Sequence, residues 1–163
     1  MNKEGHVLNA VLLSIGLGYV LQPAGDFTTF RTIAAVIIPV TLGALFPDVD
    51  TAFGRHRKTL HNVAVLAIFL AYPLVFDNLQ FVWIGVLTHY VLDLLGSKRG
   101  LALLYPYEKE YSLPIGVATS SDYANAVTLG ITGFELAIAA LLVYVVPTYL
   151  PQNVVNGVAA VFA

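Results

Sequence analysis

The chain has 163 residues, 58% of them hydrophobic and 11% charged, and a mean hydropathy of +0.77. A soluble domain carries about 25% charged residues, so this composition excludes an ordinary water-soluble globule and describes a membrane protein. The net charge of -2 and the scattered basic residues give nucleic acid binding no support, and the lack of cysteine excludes disulfides and thiolate metal sites.

Five apolar stretches follow in order: Val7 to Leu21, Thr32 to Phe46, Val63 to Phe76, Leu79 to Leu95 and Ala126 to Val146. Several are shorter than the ~20 residues that cross a bilayer. Their flanks lengthen them, for example from Gly5 to Gln22 or from Thr29 to Phe46, and polar ends can reach the headgroups. The expectation is an all-α fold: a polytopic membrane helical bundle of about five spans, forming a single domain over residues 1–163. The first stretch is not read as a secretory signal, because Glu4 stands beside Lys3 and no small-x-small cleavage site occurs near Leu21 to Gly25.

The connections carry turn chemistry. Gln22 to Asp26 form a turn cluster, Asp77-Asn78 predicts a tight hairpin, and Ser120-Ser121-Asp122 predicts a helix cap. Gly96 to Asn125 is the one long loop, with Tyr-Pro-Tyr and Leu-Pro-Ile pieces; it reads as ordered, irregular structure at the interface, where long loops are usually functional. The tail from Val154 to Ala163 is mildly apolar and carries no signal.

Lys3, Arg55, Arg57, Lys58, Lys98, Arg99 and Lys109 fall on one side of a five-span arrangement and Arg31 alone on the other. Positively charged loops stay in the cytoplasm, so the amino terminus and the long loop are predicted inside. The same arrangement brings all four histidines, His6, His56, His61 and His89, and the aspartates Asp48, Asp50 and Asp93 to the cytoplasmic ends of the spans. Ionisable groups in a membrane are costly and mark function, and imidazoles gathered with carboxylates point to a metal ion.

His89 and Asp93 are four apart and share one helix face, as two ligands or as a ligand and its orienting carboxylate. Pro47 disfavours helix at Phe46, so the second span is expected to end there and to continue as an extended Asp48-Val49-Asp50 with both carboxylates on one side. His56 and His61 can close on one ion only if their turn is irregular, since a continuous helix would set them ~140° apart. Their basic neighbours Arg55, Arg57 and Lys58 can hold a phosphate or a lipid headgroup. His6, three residues before Asn9, can face the bundle from the first turns. Glu135, in mid-span, is left out of the site as a group hydrogen-bonded to Ser14, Thr132 or a tyrosine.

His6, Leu-Phe-Pro-Asp48-Val-Asp50, His56-Arg57 with His61, and Thr88-His89-Tyr-Val-Leu-Asp93-Leu-Leu, followed by Gly100 and Pro106, resemble the YdjM-like family of inner-membrane-associated proteins, LexA-regulated in some bacteria. The resemblance runs from His6 to about Pro106. Where that family reads His-Arg-Gly-x-Thr-His-Ser, this chain has His56-Arg57-Lys58-Thr59-Leu60-His61-Asn62: the histidines are kept and the glycine, threonine and serine are replaced. The ligand pattern is more distantly similar to that of the helical zinc phospholipase C and P1 nuclease group.

The resemblance implies a metal-dependent hydrolase, its substrate expected to be a phosphoester of a lipid or lipid-linked molecule at the cytoplasmic face of the inner membrane. His6, Asp48, His56, His61, His89 and Asp93 are the expected ligands, with Asp50 as bridging ligand or general base and Arg57 neutralising the substrate phosphate. Imidazole with carboxylate suits zinc, then manganese or iron. Two other classes use the same residues: a non-catalytic membrane protein with a structural metal or polar cluster, and a metal or proton carrier. A carrier would place its ligands near the bilayer midplane, so it ranks last.

Overall fold

The computed structural model describes residues 2–113, 116–118 and 120–159. It is all-helical, with 68% helix and no strands among the described residues. Helix α1, Lys3–Leu21, starts where the Asn2 side chain accepts from the Gly5 amide at 2.9 Å, satisfying one of the orphan donors of its first turn. Asp26 caps α2, Phe27–Leu45, in the same way through the Thr28 and Thr29 amides, and Asn62 caps α3, Val63–Phe76, through Val65. Helix α4 is Val82–Leu95, and α5 is Ala124–Ala140. Helix α5 widens into a π turn at Leu141–Val145, tightens into a 3-10 turn at Val146–Tyr149 and is followed by the short α6, Gln152–Ala159.

Three sequence expectations are corrected here. Phe46 keeps right-handed helical angles, and the chain after α2 is a 3-10 turn, Pro47–Ala52, in place of an extended segment. Pro47 occupies the first position of that turn, where its missing N–H costs no bond. The α3–α4 connection runs from Asp77 to Phe81, because Asp77 and Leu79 both take left-handed backbone (φ 51° and 60°) and delay α4 to Val82. Ser121 makes a turn, accepting from Tyr123 and Ala124, but α5 begins after Tyr123 with no side-chain cap. The Leu-Pro-Ile piece at Pro114 and Ile115 and the tail beyond residue 159 lie outside the described residues.

Helix α1 packs between α2 and α5, and α2 packs on α4. Ala10, Leu13 and Leu17 recur at helical spacing on α1 and bury against Val36, Val40 and Ala44 of α2. The α2–α4 crossing is set by Gly43 and Gly85: a Cβ on Gly85 would stand 2.0 Å from the Val40 carbonyl oxygen, and one on Gly43 would stand 2.1 Å from that of Val82. The two backbones touch, as small residues permit in membrane helices.

The outward faces stay apolar, with Phe30, Ile38, Leu42, Leu74 and Phe134 exposed. Such a surface is stable against lipid and not against water. Lys3–Leu21, Phe27–Ala52 and Ala124–Tyr149 are long and apolar enough to cross a membrane. Helices α3 and α4 have 14 residues each, about 21 Å at 1.5 Å per residue, against a hydrocarbon core of about 30 Å.

The segment between α4 and α5 folds back over the end of α4. Leu101 and Tyr111 exchange backbone hydrogen bonds at 2.9 Å, Ala102 donates to the Arg57 carbonyl at 3.1 Å, and Val63 donates to Leu103 at 2.9 Å. Ion pairs from Arg55 to Glu108 and from Lys58 to Glu110 fasten it to the turn that precedes α3.

Candidate metal centre

Four pieces of chain meet at one end of the bundle. Helix α1 brings His6, the 3-10 turn brings Asp48 and Asp50, the irregular turn before α3 brings His56 and His61, and α4 brings His89 and Asp93 one turn apart. The structure therefore brings together all seven residues singled out from the sequence. His6, His61, His89, Asp50 and Asp93 are buried, while the His56 and Asp48 side chains are 39% and 21% exposed.

Hydrogen bonds to the outer edge of the rings fix their orientation. His89 Nδ1 lies 2.6 Å from the Ala44 carbonyl oxygen; a carbonyl only accepts, so Nδ1 carries the proton and Nε2 presents a lone pair. The contact is reachable because the Gly43–Gly85 crossing draws α4 against α2. His61 Nδ1 lies 3.0 Å from Asp50 Oδ2, which assigns its proton in the same way. His61 Nε2 and His89 Nε2 then face each other at 3.0 Å. Two lone pairs at that distance repel unless a cation, a proton or a metal ion, stands between or beside them.

Further donors surround the same point. Asp48 Oδ1 is 3.6 Å from His89 Nε2, 3.7 Å from His61 Nε2 and 3.8 Å from His56 Nδ1. Asp93 Oδ2 is 3.8 Å from His89 Nε2 and 3.9 Å from His61 Nε2. His6 stacks on His89 with ring centres 3.8 Å apart and 7° between planes, and its Nε2 is 3.4 Å from Asp93 Oδ1. That contact lacks hydrogen-bond alignment, so both His6 ring nitrogens are buried without a hydrogen-bond partner. Donors held about 2.0–2.1 Å from a tetrahedral ion stand roughly 3.3 Å from one another, close to the separations found. His6, His89 and Asp93 form one group able to hold an ion, and Asp48, His56 and His61 form a second.

The two aspartates do not share one side of an extended segment: the 3-10 turn sets Asp48 near Nε2 of His61 and Asp50 against Nδ1. Asp50 also accepts from the Leu60 amide at 3.3 Å and contacts His56 Nδ1 at 3.1 Å. This is the position of a carboxylate that orients ligating imidazoles.

Arg57 is buried with left-handed backbone (φ 65°), and both terminal nitrogens of its guanidinium are engaged within the protein. It donates to Asp93 Oδ1 at 3.1 Å, Ser97 Oγ at 3.0 Å and the Arg99 carbonyl at 3.0 Å. Arg55 and Lys58 are paired with Glu108 and Glu110. The basic cluster at 55–58, expected to hold phosphate or a headgroup, thus meets acids of its own chain. Beside it opens a basin of about 610 Å³, lined by His56, Arg57, Lys98, Arg99, Glu110 and Ser112.

Tyr90 and the Ala44 carbonyl were not singled out from the sequence. Tyr90 donates to the Leu60 carbonyl at 2.6 Å and so steadies the turn that carries His61; its only signal was its place in Thr88-His89-Tyr. Glu135 is hydrogen-bonded to neither Ser14 nor Thr132. Its carboxyl meets Thr88 Oγ1 at 2.6 Å and Asn9 Nδ2 at 2.8 Å, while Thr88 also lies 2.6 Å from Asn9 Oδ1. Asn9 donates in addition to Thr132 at 2.9 Å, so this polar cluster ties α1, α4 and α5 together one turn below the histidines.

Neither the curated proteins nor the solved structures contain a match to this chain. A family match covers residues 1–159, beyond the stretch His6 to Pro106 that carried the resemblance, and the chain belongs to the YdjM inner membrane protein family.

Proposed function

We propose that the protein is a membrane-bound, metal-dependent hydrolase acting on a phosphoester of a lipid or lipid-linked substrate at the cytoplasmic face. The observation that carries this reading is the pair of facing lone pairs on His61 and His89, with the carboxylates of Asp48 and Asp93 beside them. A divalent cation placed there relieves the repulsion of the lone pairs and takes the carboxylates as further ligands. Imidazole and carboxylate donors favour zinc, with manganese or iron as alternatives.

A divalent ion held there supplies Lewis acidity toward a phosphoryl oxygen and lowers the pKa of water. The chain's own residues do the rest. His6, His89, Asp93, Asp48, His56 and His61 are the ligands; Asp50 orients His61 and His56; Arg57 orients Asp93. Asp48, at the exposed edge, is placed to accept a proton from an incoming water. Lys98 and Arg99, on the wall of the basin, are placed to meet the substrate phosphate, a role that Arg57 fills less readily because Asp93 already holds it.

The positive residues at 3, 55–58 and 98–109 support an inside amino terminus. Helices α3 and α4 either cross the membrane, giving five spans, or dip in and return. Both routes bring the chain back to the same side before α5, so the face on which the centre opens is the same.

A non-catalytic structural metal site is the second reading, favoured by the burial of His6, His89 and Asp93. The exposed His56 on the wall of an open basin and the partly exposed Asp48 favour the catalyst, which needs an open position. Metal analysis of detergent-purified protein, run beside turnover of a lipid extract, tests the reading in wild type and His89→Ala. The expected result is metal and phosphoester cleavage in the wild type, and less bound metal with no cleavage in the variant. Metal-free wild type, or unchanged metal in the variant, refutes it.

A further inference from the structure

We infer that the centre holds two divalent ions: a buried ion on His6, His89 and Asp93, and an exchangeable ion on Asp48, His56 and His61 that faces the basin and receives the anionic group of the substrate. The inference rests on the reading of the cluster as a metal centre and adds the number of ions and their division of labour.

Four observations support it. Six candidate donors exceed the four that tetrahedral zinc takes. They divide into two triplets, and in each triplet the donor atoms lie within 4.8 Å of one another. A single ion between His61 and His89 would leave both buried ring nitrogens of His6 without a hydrogen bond or a metal to bind. The triplets also have separate supports: the Ala44 carbonyl and Arg57 hold the first, and Asp50 holds both imidazoles of the second.

The triplets are nonetheless neighbours. His61 Nε2 and His89 Nε2 are 3.0 Å apart, and Asp48 Oδ1 is 3.6 Å from His89 Nε2, so a carboxylate can serve both ions. Paired catalytic ions stand about 3.5–4 Å apart, which this contact allows. Their burial differs: the first triplet is closed to solvent, whereas in the second His56 is exposed and lines the basin and Asp48 is partly exposed. An anionic substrate is drawn to the open ion, and Lys98 and Arg99 on the wall of the basin add to that attraction.

The test uses the full-length chain in detergent, stripped with chelator, reloaded with zinc and desalted, with metal counted per chain. Two zinc ions are expected in the wild type and one in His56→Ala, a surface change that leaves the elution profile unaltered. Loaded with manganese, the wild type should give a spin-coupled paramagnetic resonance spectrum, and His56→Ala the uncoupled signal. His6→Ala, read the same way, should also keep a single ion. One zinc ion per wild-type chain with an uncoupled manganese signal overturns the two-ion inference and leaves the metal reading standing. No zinc in the wild type overturns both.

Discussion

Replacing Gly85 with alanine should damage the metal centre from a distance. The new Cβ would stand 2.0 Å from the Val40 carbonyl oxygen, 2.6 Å from the Ala44 nitrogen and 2.8 Å from the Gly43 carbonyl carbon, against an ordinary contact of at least 3.4 Å. All three are backbone atoms, so no rotamer change relieves the clash and α4 must move away from α2 by about 1.4 Å at this point. His89 lies one turn along α4, and its Nδ1 bond to the Ala44 carbonyl is 2.6 Å long. The same displacement would stretch it to about 4 Å, beyond hydrogen-bonding range. Overpacking of this kind costs about 1–3 kcal/mol of stability, and loss of an orienting partner lowers metal affinity about 10–100-fold. Zinc affinity by chelator competition and thermal unfolding in detergent measure the two effects. Gly130→Ala is the control, since nothing lies within 4 Å of a Cβ built there. If Gly85→Ala binds zinc as tightly as Gly130→Ala, the coupling between the helix crossing and His89 is refuted.

Asp50→Asn keeps the shape of a fully buried group but removes the charge shared by His56 and His61, so metal affinity should fall about 10–100-fold with little change in helix content by circular dichroism. Arg57→Ala removes the guanidinium from the buried Asp93 carboxylate and should cost up to about 3–5 kcal/mol, read as a lowered unfolding temperature; bound metal should recover part of that loss. For Glu135 a paired comparison is informative. Thr88 has one hydroxyl proton and two acceptors 2.6 Å away, so the second contact needs a donor on the Glu135 side. Glu135→Gln supplies that donor and should unfold near the wild-type temperature, whereas Glu135→Leu leaves Asn9 and Thr88 unsatisfied and should lose about 1–3 kcal/mol.

The gathering of histidines and aspartates at one end of the bundle was legible because apolar helices leave few places for imidazole and carboxylate, and the spacing of His89 and Asp93 fixed their shared face. The helices themselves followed from the apolar runs, and the structure adds that Asn2, Asp26 and Asn62 cap three of them, as their residue types prefer. Two kinds of feature were hidden. Backbone geometry was one: Pro47 was compatible with an extended exit or with the start of a tight turn, and only the packing of Asp50 under His61 selected the turn. The other was pairing over long separations. Arg55, Arg57 and Lys58 read as free cations until the later segment returned with Glu108 and Glu110 and α4 supplied Asp93. The Ala44 carbonyl has no side-chain signature at all, and its role emerges only from the glycine crossing that exposes it to His89.

The donor set spans positions 6 to 93 of the sequence, with no complete triplet inside any one helix. During synthesis the first triplet cannot exist before Asp93 has been made, long after His6. On the proposed reading, metal loading is therefore a late event of biogenesis that waits for α4 to arrive.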